Sequence, residues 1–183
     1  MKKIILLTIV FFSFVISTNA QAGFSKNVSA LATVVAPIEI GSVINMQFGD
    51  ISRMAATGGT PTDGVLTMST GGAVTTTSGG VQAVAGGTAT TAASITVTGE
   101  ETATFSLVIT EATPLTIATI GQAAASSTNT MELTNFTQSG AAAGNLLSAS
   151  GSLTITIGAD LAVDKEQETG SYTGSILVVA QYE

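Results

Sequence analysis

The chain closes on Gly170-Ser171-Tyr172-Thr173-Gly174-Ser175-Ile176-Leu177-Val178-Val179-Ala180-Gln181-Tyr182-Glu183, and this stretch constrains the fold more than any other. Tyr172, Ile176, Val178, Ala180 and Tyr182 fall on one parity, while Thr173, Ser175, Leu177, Val179 and Gln181 fall on the other. Side chains of an extended backbone alternate between faces, so the first set is expected to point inward and the second, more polar set outward. A strand leaves backbone N–H and C=O groups that need a second backbone. Whether that backbone comes from this chain or from another decides what such a protein does.

The early part of the chain carries a matching pattern. Val28, Ala30, Ala32, Val34, Ala36, Ile38 and Ile40 are apolar at period two, with Ser29, Thr33, Pro37 and Glu39 on the other parity beside Leu31 and Val35. At ~3.3 Å per residue this run would span roughly 43 Å, whereas an ordinary strand has about five or six residues. Part of it, residues 23–35, is therefore expected to serve as a donor or edge strand reaching beyond its own domain. One long first strand that bends at Pro37 and switches between two sheets accounts for the same pattern.

Between these ends, apolar period-two runs alternate with glycine-rich punctuation. Gly41-Ser42 reads as a turn into a strand whose Ile44, Met46 and Phe48 share a face, with Phe48 as a core anchor. Residues 55–64 read as a surface loop. Short strands over 65–69, 73–77 and 81–85 have the spacing of hairpins. The runs 93–98 and 103–109, joined by Gly99-Glu100-Glu101-Thr102, predict an antiparallel hairpin. Pro114 is expected to break the chain, residues 122–129 to be loop, and Met131 to Phe136 to form a further strand. Residues 140–152 read as small and flexible, and Gly158-Ala159-Asp160 as the end of a strand over 153–157. Seven to ten short strands of this kind predict a single antiparallel, immunoglobulin-like β-sandwich, with an incomplete or donated edge strand as an option.

The N-terminus reads as a signal peptide. Lys2 and Lys3 precede an apolar stretch over 4–16, and Ala20-Gln21-Ala22 is a small-x-small cleavage site. Residues 1–22 are expected to be removed and residues 23–183 exported through the inner membrane, with no membrane span after cleavage. An uncleaved anchor is the alternative. The remaining chain has Lys26, Arg53 and Lys165 against twelve acids. Such a balance repels phosphate backbones, so no nucleic acid is expected as a partner.

Cysteine, histidine and tryptophan are absent. The fold must rest on burial and backbone pairing without disulfides. No imidazole base, thiolate nucleophile or ordinary zinc site can be built, and the carboxylate pairs Glu100-Glu101 and Glu166/Glu168 fall in turns, so no catalytic residue and no cofactor is assigned. Asp160, Asp164, Glu166 and Glu168 are the densest acidic group. Calcium accepts oxygen ligands alone, but the spacing lacks a known calcium loop, and solvated charge is the preferred explanation.

The final strand resembles the C-terminal strand of chaperone–usher pilus subunits, which typically end in a penultimate tyrosine with a glycine fourteenth from the end. Tyr182 and Gly170 occupy those places here. Over nearly all of the exported chain a second likeness holds, to small secreted bacterial β-sandwich domains grouped as a family of unknown function. It is carried by Ala36-Pro37-Ile38-Glu39-Ile40, Met46-Gln47-Phe48-Gly49, Ser94-Ile95-Thr96-Val97-Thr98-Gly99 before Phe105, and Gly151-Ser152-Leu153-Thr154-Ile155 ahead of Gly170-Ser171-Tyr172-Thr173-Gly174.

The pilus resemblance implies a non-enzymatic structural subunit of a cell-surface fimbria or matrix fibre. Such subunits join by strand addition to themselves or to related subunits, after a periplasmic chaperone and an outer-membrane usher have handled them. It implies Val28, Ala30, Ala32 and Val34 as donor residues, and Gly170, Tyr172, Ile176, Val178, Ala180 and Tyr182 as the acceptor strand. The chain departs from that pattern in lacking a disulfide and in having only residues 23–27 ahead of Val28. The alternative is a self-contained secreted adhesin or carbohydrate-binding module that acts through its loops.

Overall fold

A computed structural model describes residues 25–54, 61–117 and 126–183. The expected signal peptide lies outside them. The chain divides into two units, Met1–Val34 and Val35–Glu183. In the first, residues 25–34 belong to no strand or helix, and all of them are exposed, including Val28 at 90 %, Leu31 at 92 % and Val34 at 96 %.

The second unit is an all-β, antiparallel sandwich. Its strands are β1 (Glu39–Ile44), β2 (Ile51–Arg53), β3 (Gly64–Met68), β4 (Val74–Gly79), β5 (Val81–Ala83), β6 (Ala93–Thr98), β7 (Thr104–Ile117), β8 (Thr130–Gln138), β9 (Asn145–Leu146), β10 (Ser152–Val163) and β11 (Tyr172–Tyr182). The main hydrogen-bonded path runs β1-β6-β10-β8-β7-β11. β3 joins the same edge of β10 as β6, further along the strand, and carries β4; β9 adds to β7, and β2 pairs with β5.

β8 links the two layers. Thr130 and Met131 pair with β7, and the residues from Glu132 to Gln138 pair with β10. The switch includes a register break opposite Gly158 and Asp160, where Asn135 adopts φ 49° and donates from Nδ2 to the Asp160 carboxylate at 2.8 Å. Asparagine tolerates this left-handed conformation better than most side chains, and an extra residue there bends the strand.

Between the layers lie two apolar clusters. One gathers Leu66, Met68, Val81, Met131, Leu133, Leu161 and Val163, with Phe48 at its margin; the other gathers Ile95, Val97, Phe105, Leu107, Leu147, Ile155 and Ile157. Met46 and Phe136 pack against both. Period-two alternation along β3, β6 and β10 supplies most of these side chains.

Several local expectations are corrected. Among residues 25–40 only Glu39 and Ile40 are in a strand, so the long first strand does not form. β1 instead runs straight through Gly41-Ser42, where a register shift between Ile40 and Val43 absorbs an extra residue. The runs 93–98 and 103–109 do not make a hairpin: β6 pairs with β1 and β10, whereas β7 pairs with β11, β8 and β9. Each has an apolar inner face, and Ile95, Val97, Phe105 and Leu107 meet in one buried cluster, so the two runs bury those faces without pairing with each other. β7 continues past Pro114 to Ile117, because Pro114 falls where the β11 register skips and no donor N–H is required. β10 runs past Gly158-Ala159-Asp160 to Val163, burying Ala159, Leu161 and Val163. The stretch 140–152 holds β9 and the fully buried Leu147. Residues 122–125, 55–60 and Ile120 lie outside the described residues.

Candidate functional site

β1 and β11 are the two ends of the strand path, so each has one edge to which no strand among the described residues is hydrogen-bonded. Five antiparallel steps separate them, and they therefore run in opposite directions. The seam between them opens as a cleft of about 410 Å³, lined by Val43 and Ile44 on one side and by the Tyr172 to Ile176 segment with Val178 on the other. Its floor is the core itself: Met46, Ala93, Ile95, Leu133 and Ile157. A second cavity of about 730 Å³ shares Met46, Phe48, Leu115 and Tyr172 with the cleft and widens it toward Asp50, Arg53, Gly170 and Glu168.

The inward set on β11 is the one the alternation predicts, but it is only half covered. Tyr172, Ile176, Val178, Ala180 and Tyr182 are partly buried and pack against the two clusters, while Thr173, Ser175, Leu177, Val179 and Gln181 are exposed. On β10, in the middle of the path, the corresponding side chains are buried. The shortfall arises because, among the described residues, no strand pairs with β11 on its free edge. On the opposite wall every residue of β1 is exposed, with Val43 at 61 %.

A tyrosine fixes each end of β11. Tyr172 Oη accepts from Gln167 Nε2 at 2.8 Å and donates to the Glu168 carbonyl at 2.7 Å. Gln167, 2 % exposed, also donates to the carbonyls of Thr128 and Thr130 and accepts from the Asp164 N–H. At the far end, Tyr182 Oη accepts from the Glu100 N–H at 2.6 Å and donates to the Ala36 carbonyl at 2.8 Å; the Ala36 N–H donates to Glu100 Oε2 at 2.9 Å. A Cβ at Gly99 would overlap the Tyr182 hydroxyl, so this closure requires glycine there. The chain thus joins the sandwich at Ala36, beside the end of its last strand.

Of the residues singled out in the sequence, the structure gathers Tyr172, Ile176 and Val178 along the cleft, with Ala180 and Tyr182 continuing the same face and Gly170 at the wider cavity. Val28, Ala30, Ala32 and Val34 are exposed and belong to no strand. The second wall, Val43 and Ile44, was hidden by the Gly41-Ser42 turn expectation. Its signal is the parity change from Ile38 and Ile40 to Val43, as a one-residue bulge produces.

The acidic residues are not brought together. The Asp160 carboxylate accepts from Thr67 and Asn135, and Asp164 Oδ1 accepts from the Glu166 N–H. Among the described residues no group of three or more His, Cys, Asp or Glu is placed to hold a metal ion, and no helix is long and apolar enough to cross a membrane.

Fold and site together define a class: an all-β antiparallel sandwich whose two outermost strands leave an apolar seam between them. Within that class the chain belongs to the DUF4402 family, described as a domain of unknown function, whose model matches residues 38–182. The matched span begins just after the Ala36–Tyr182 contact and covers the sandwich, leaving out residues 25–34. No curated protein and no solved structure matches the chain.

Proposed function

We propose that this protein is a non-enzymatic structural subunit of a cell-surface fimbria or matrix fibre, exported and assembled head to tail by strand addition. The observation that carries the proposal is the cleft between β1 and β11, where core residues line the gap and, among the described residues, each flanking strand keeps one edge without a strand partner. An extended segment entering there would hydrogen-bond to β11 and cover its half-buried face, which is how β-augmentation obtains both affinity and specificity. Residues 25–34 supply such a segment: extended in pattern, apolar at period two and exposed. Because donor and acceptor are different surfaces, the contact is heterologous and propagates. Before assembly the seam would be covered by a periplasmic chaperone, and an outer-membrane usher would export the subunit.

The test is electrophoresis of the exported protein in denaturant without heating. Strand-linked subunits give ladders that heating dissolves. Val178→Asp, which places a charge in the cleft at a half-buried site, is expected to abolish the ladder while circular dichroism still reports a folded β protein. A wild-type chain that runs as a monomer under all export conditions refutes the assembly and leaves the self-contained adhesin.

A further inference from the structure

We infer that the outer face of the β9-β7-β11 layer is a docking surface for the same face of a second copy, so that two sandwiches pack back to back. The face belongs to the sandwich whether or not strands are exchanged. Its repetition along a fibre rests on the strand-addition proposal above.

The outward parity of β11 is the more polar one, yet it holds Leu177 and Val179, and both are about half exposed. Register places Val179 opposite Val108 and Leu177 opposite Thr110, while on the other side of β7 Leu146 lies opposite Thr104. Val108 and Leu146 are 53 % and 57 % exposed, and they point outward because Phe105, Leu107, Asn145 and Leu147 on the other parity are buried. Val108, Leu146, Leu177 and Val179 thus share one solvent-facing sheet surface. Lone exposed apolar side chains are ordinary, whereas a group on one face marks a contact.

Charge and symmetry select the occupant. Glu111, the carboxylate within β7, turns the other way and accepts from the Leu133 N–H at 3.1 Å. Glu183 borders the face beyond the end of β11, where it accepts from the Gly144 N–H. The outer face of the opposite layer carries Glu132 and Asp160, which alternate with the buried Leu133 and Leu161. Twelve acidic residues against five basic ones make every copy negative. Two copies therefore repel where such carboxylates meet, and avoid that cost at the β9-β7-β11 face. Along β7 and β11 the rows read Ser106 with Gln181, Val108 with Val179, Thr110 with Leu177, and Thr113 with Ser175. A two-fold axis through the middle lays the apolar rows on each other and the polar ends on each other, as an isologous contact requires. Sheets of equal twist stack in this way about 10 Å apart.

Area sets the strength. Four rows about 6.7 Å apart across three strands about 4.8 Å apart make a patch of roughly 400 Å², half of the ~800 Å² that each partner gives a standard interface. A single pair of sandwiches is held weakly, and copies joined in a fibre multiply the contact, so the face acts in bundling fibres side by side. Leu31 fits this role. It lies on the parity opposite Val28, Ala30, Ala32 and Val34, so an arm that seats those four inward turns Leu31 onto the same outer face.

The test uses the full chain, which has no native cysteine. Val108→Cys, treated at high protein concentration with a bismaleimide long enough to span sheets about 10 Å apart, is expected to give covalent dimers that survive boiling in denaturant. Thr154→Cys, on the outer face of β10, is expected to stay monomeric. Boiling dissolves strand-linked ladders, so this readout holds whether or not they form. Equal yields from the two variants, or no dimer from Val108→Cys, overturn the docking face. Electron microscopy supplies the second measurement. Wild-type fibres are expected to lie in side-by-side bundles, and Val108→Glu, which sets like charges against each other, is expected to leave the ladders unchanged and the fibres single. Bundles that persist in Val108→Glu overturn the inference; missing ladders count against strand addition alone, and the crosslinking result then decides.

Discussion

Removing residues 23–33 separates assembly from folding. Every described residue of that stretch is exposed, and its apolar members Val28 and Leu31 are 90 % and 92 % accessible. Deleting them takes no buried side chain from the sandwich, so stability is expected to stay within about 0.5 kcal/mol of the full chain, the usual range for surface changes. A longer deletion, through residue 38, is the internal contrast. It removes the half-buried Ile38, which packs against the cluster around Ile95 and Phe105, at about 1 kcal/mol for partial burial of a branched side chain. It also removes the two hydrogen bonds that Ala36 makes with Tyr182 and Glu100, worth at most about 1 kcal/mol together at an exposed site. The sum, roughly 2 kcal/mol, lowers Tm by about 6 °C in a domain of this size. Urea unfolding followed by circular dichroism gives the stabilities, and unheated electrophoresis gives the ladders. Both deletions are expected to abolish ladders, and only the longer one to shift the urea midpoint. The reasoning fails if the shorter deletion destabilises by more than about 1 kcal/mol, or if ladders survive it.

Two further expectations concern the sandwich itself. Leu147→Ala removes a fully buried side chain from the second cluster and should cost about 3 kcal/mol; an unchanged urea midpoint would show that residues 140–152 do not pack as described. Tyr182→Phe keeps the ring but deletes the hydroxyl that links Glu100 to Ala36, and should cost about 1 kcal/mol with no loss of β-structure; a midpoint equal to wild type would show that water replaces both bonds at no net cost.

The alternation in the sequence was sufficient for the fold class and for the two faces of the last strand. Tyr172, Ile176, Val178, Ala180 and Tyr182 point inward because period two leaves an extended backbone no other choice once one face is buried. Phe48 and the alternating residues of β6 were legible as core for the same reason. What failed was partner assignment. The 93–98 and 103–109 runs have the local marks of a hairpin, yet the four-residue turn Gly99-Glu100-Glu101-Thr102 serves equally well to carry the chain across the core from one layer to the other. Only long-range burial distinguishes the two. Gly41-Ser42, Pro114 and Gly158 were read as breaks, and each became a bulge or a plain strand residue because a neighbouring strand held the backbone extended.

The candidate site divides along the same line. Local pattern named the inward residues of β11 and the alternating segment before Val35, since both properties belong to a single stretch of chain. That the acceptor has a second wall at Val43 and Ile44, that its floor is the core, and that two tyrosines clamp the ends of its last strand are facts about which strands become neighbours. Periodicity fixes which way a side chain points, because that follows from the geometry of one backbone. Which edges remain unpaired depends on how the eleven strands of the described residues share their hydrogen bonds, and only the folded chain decides that.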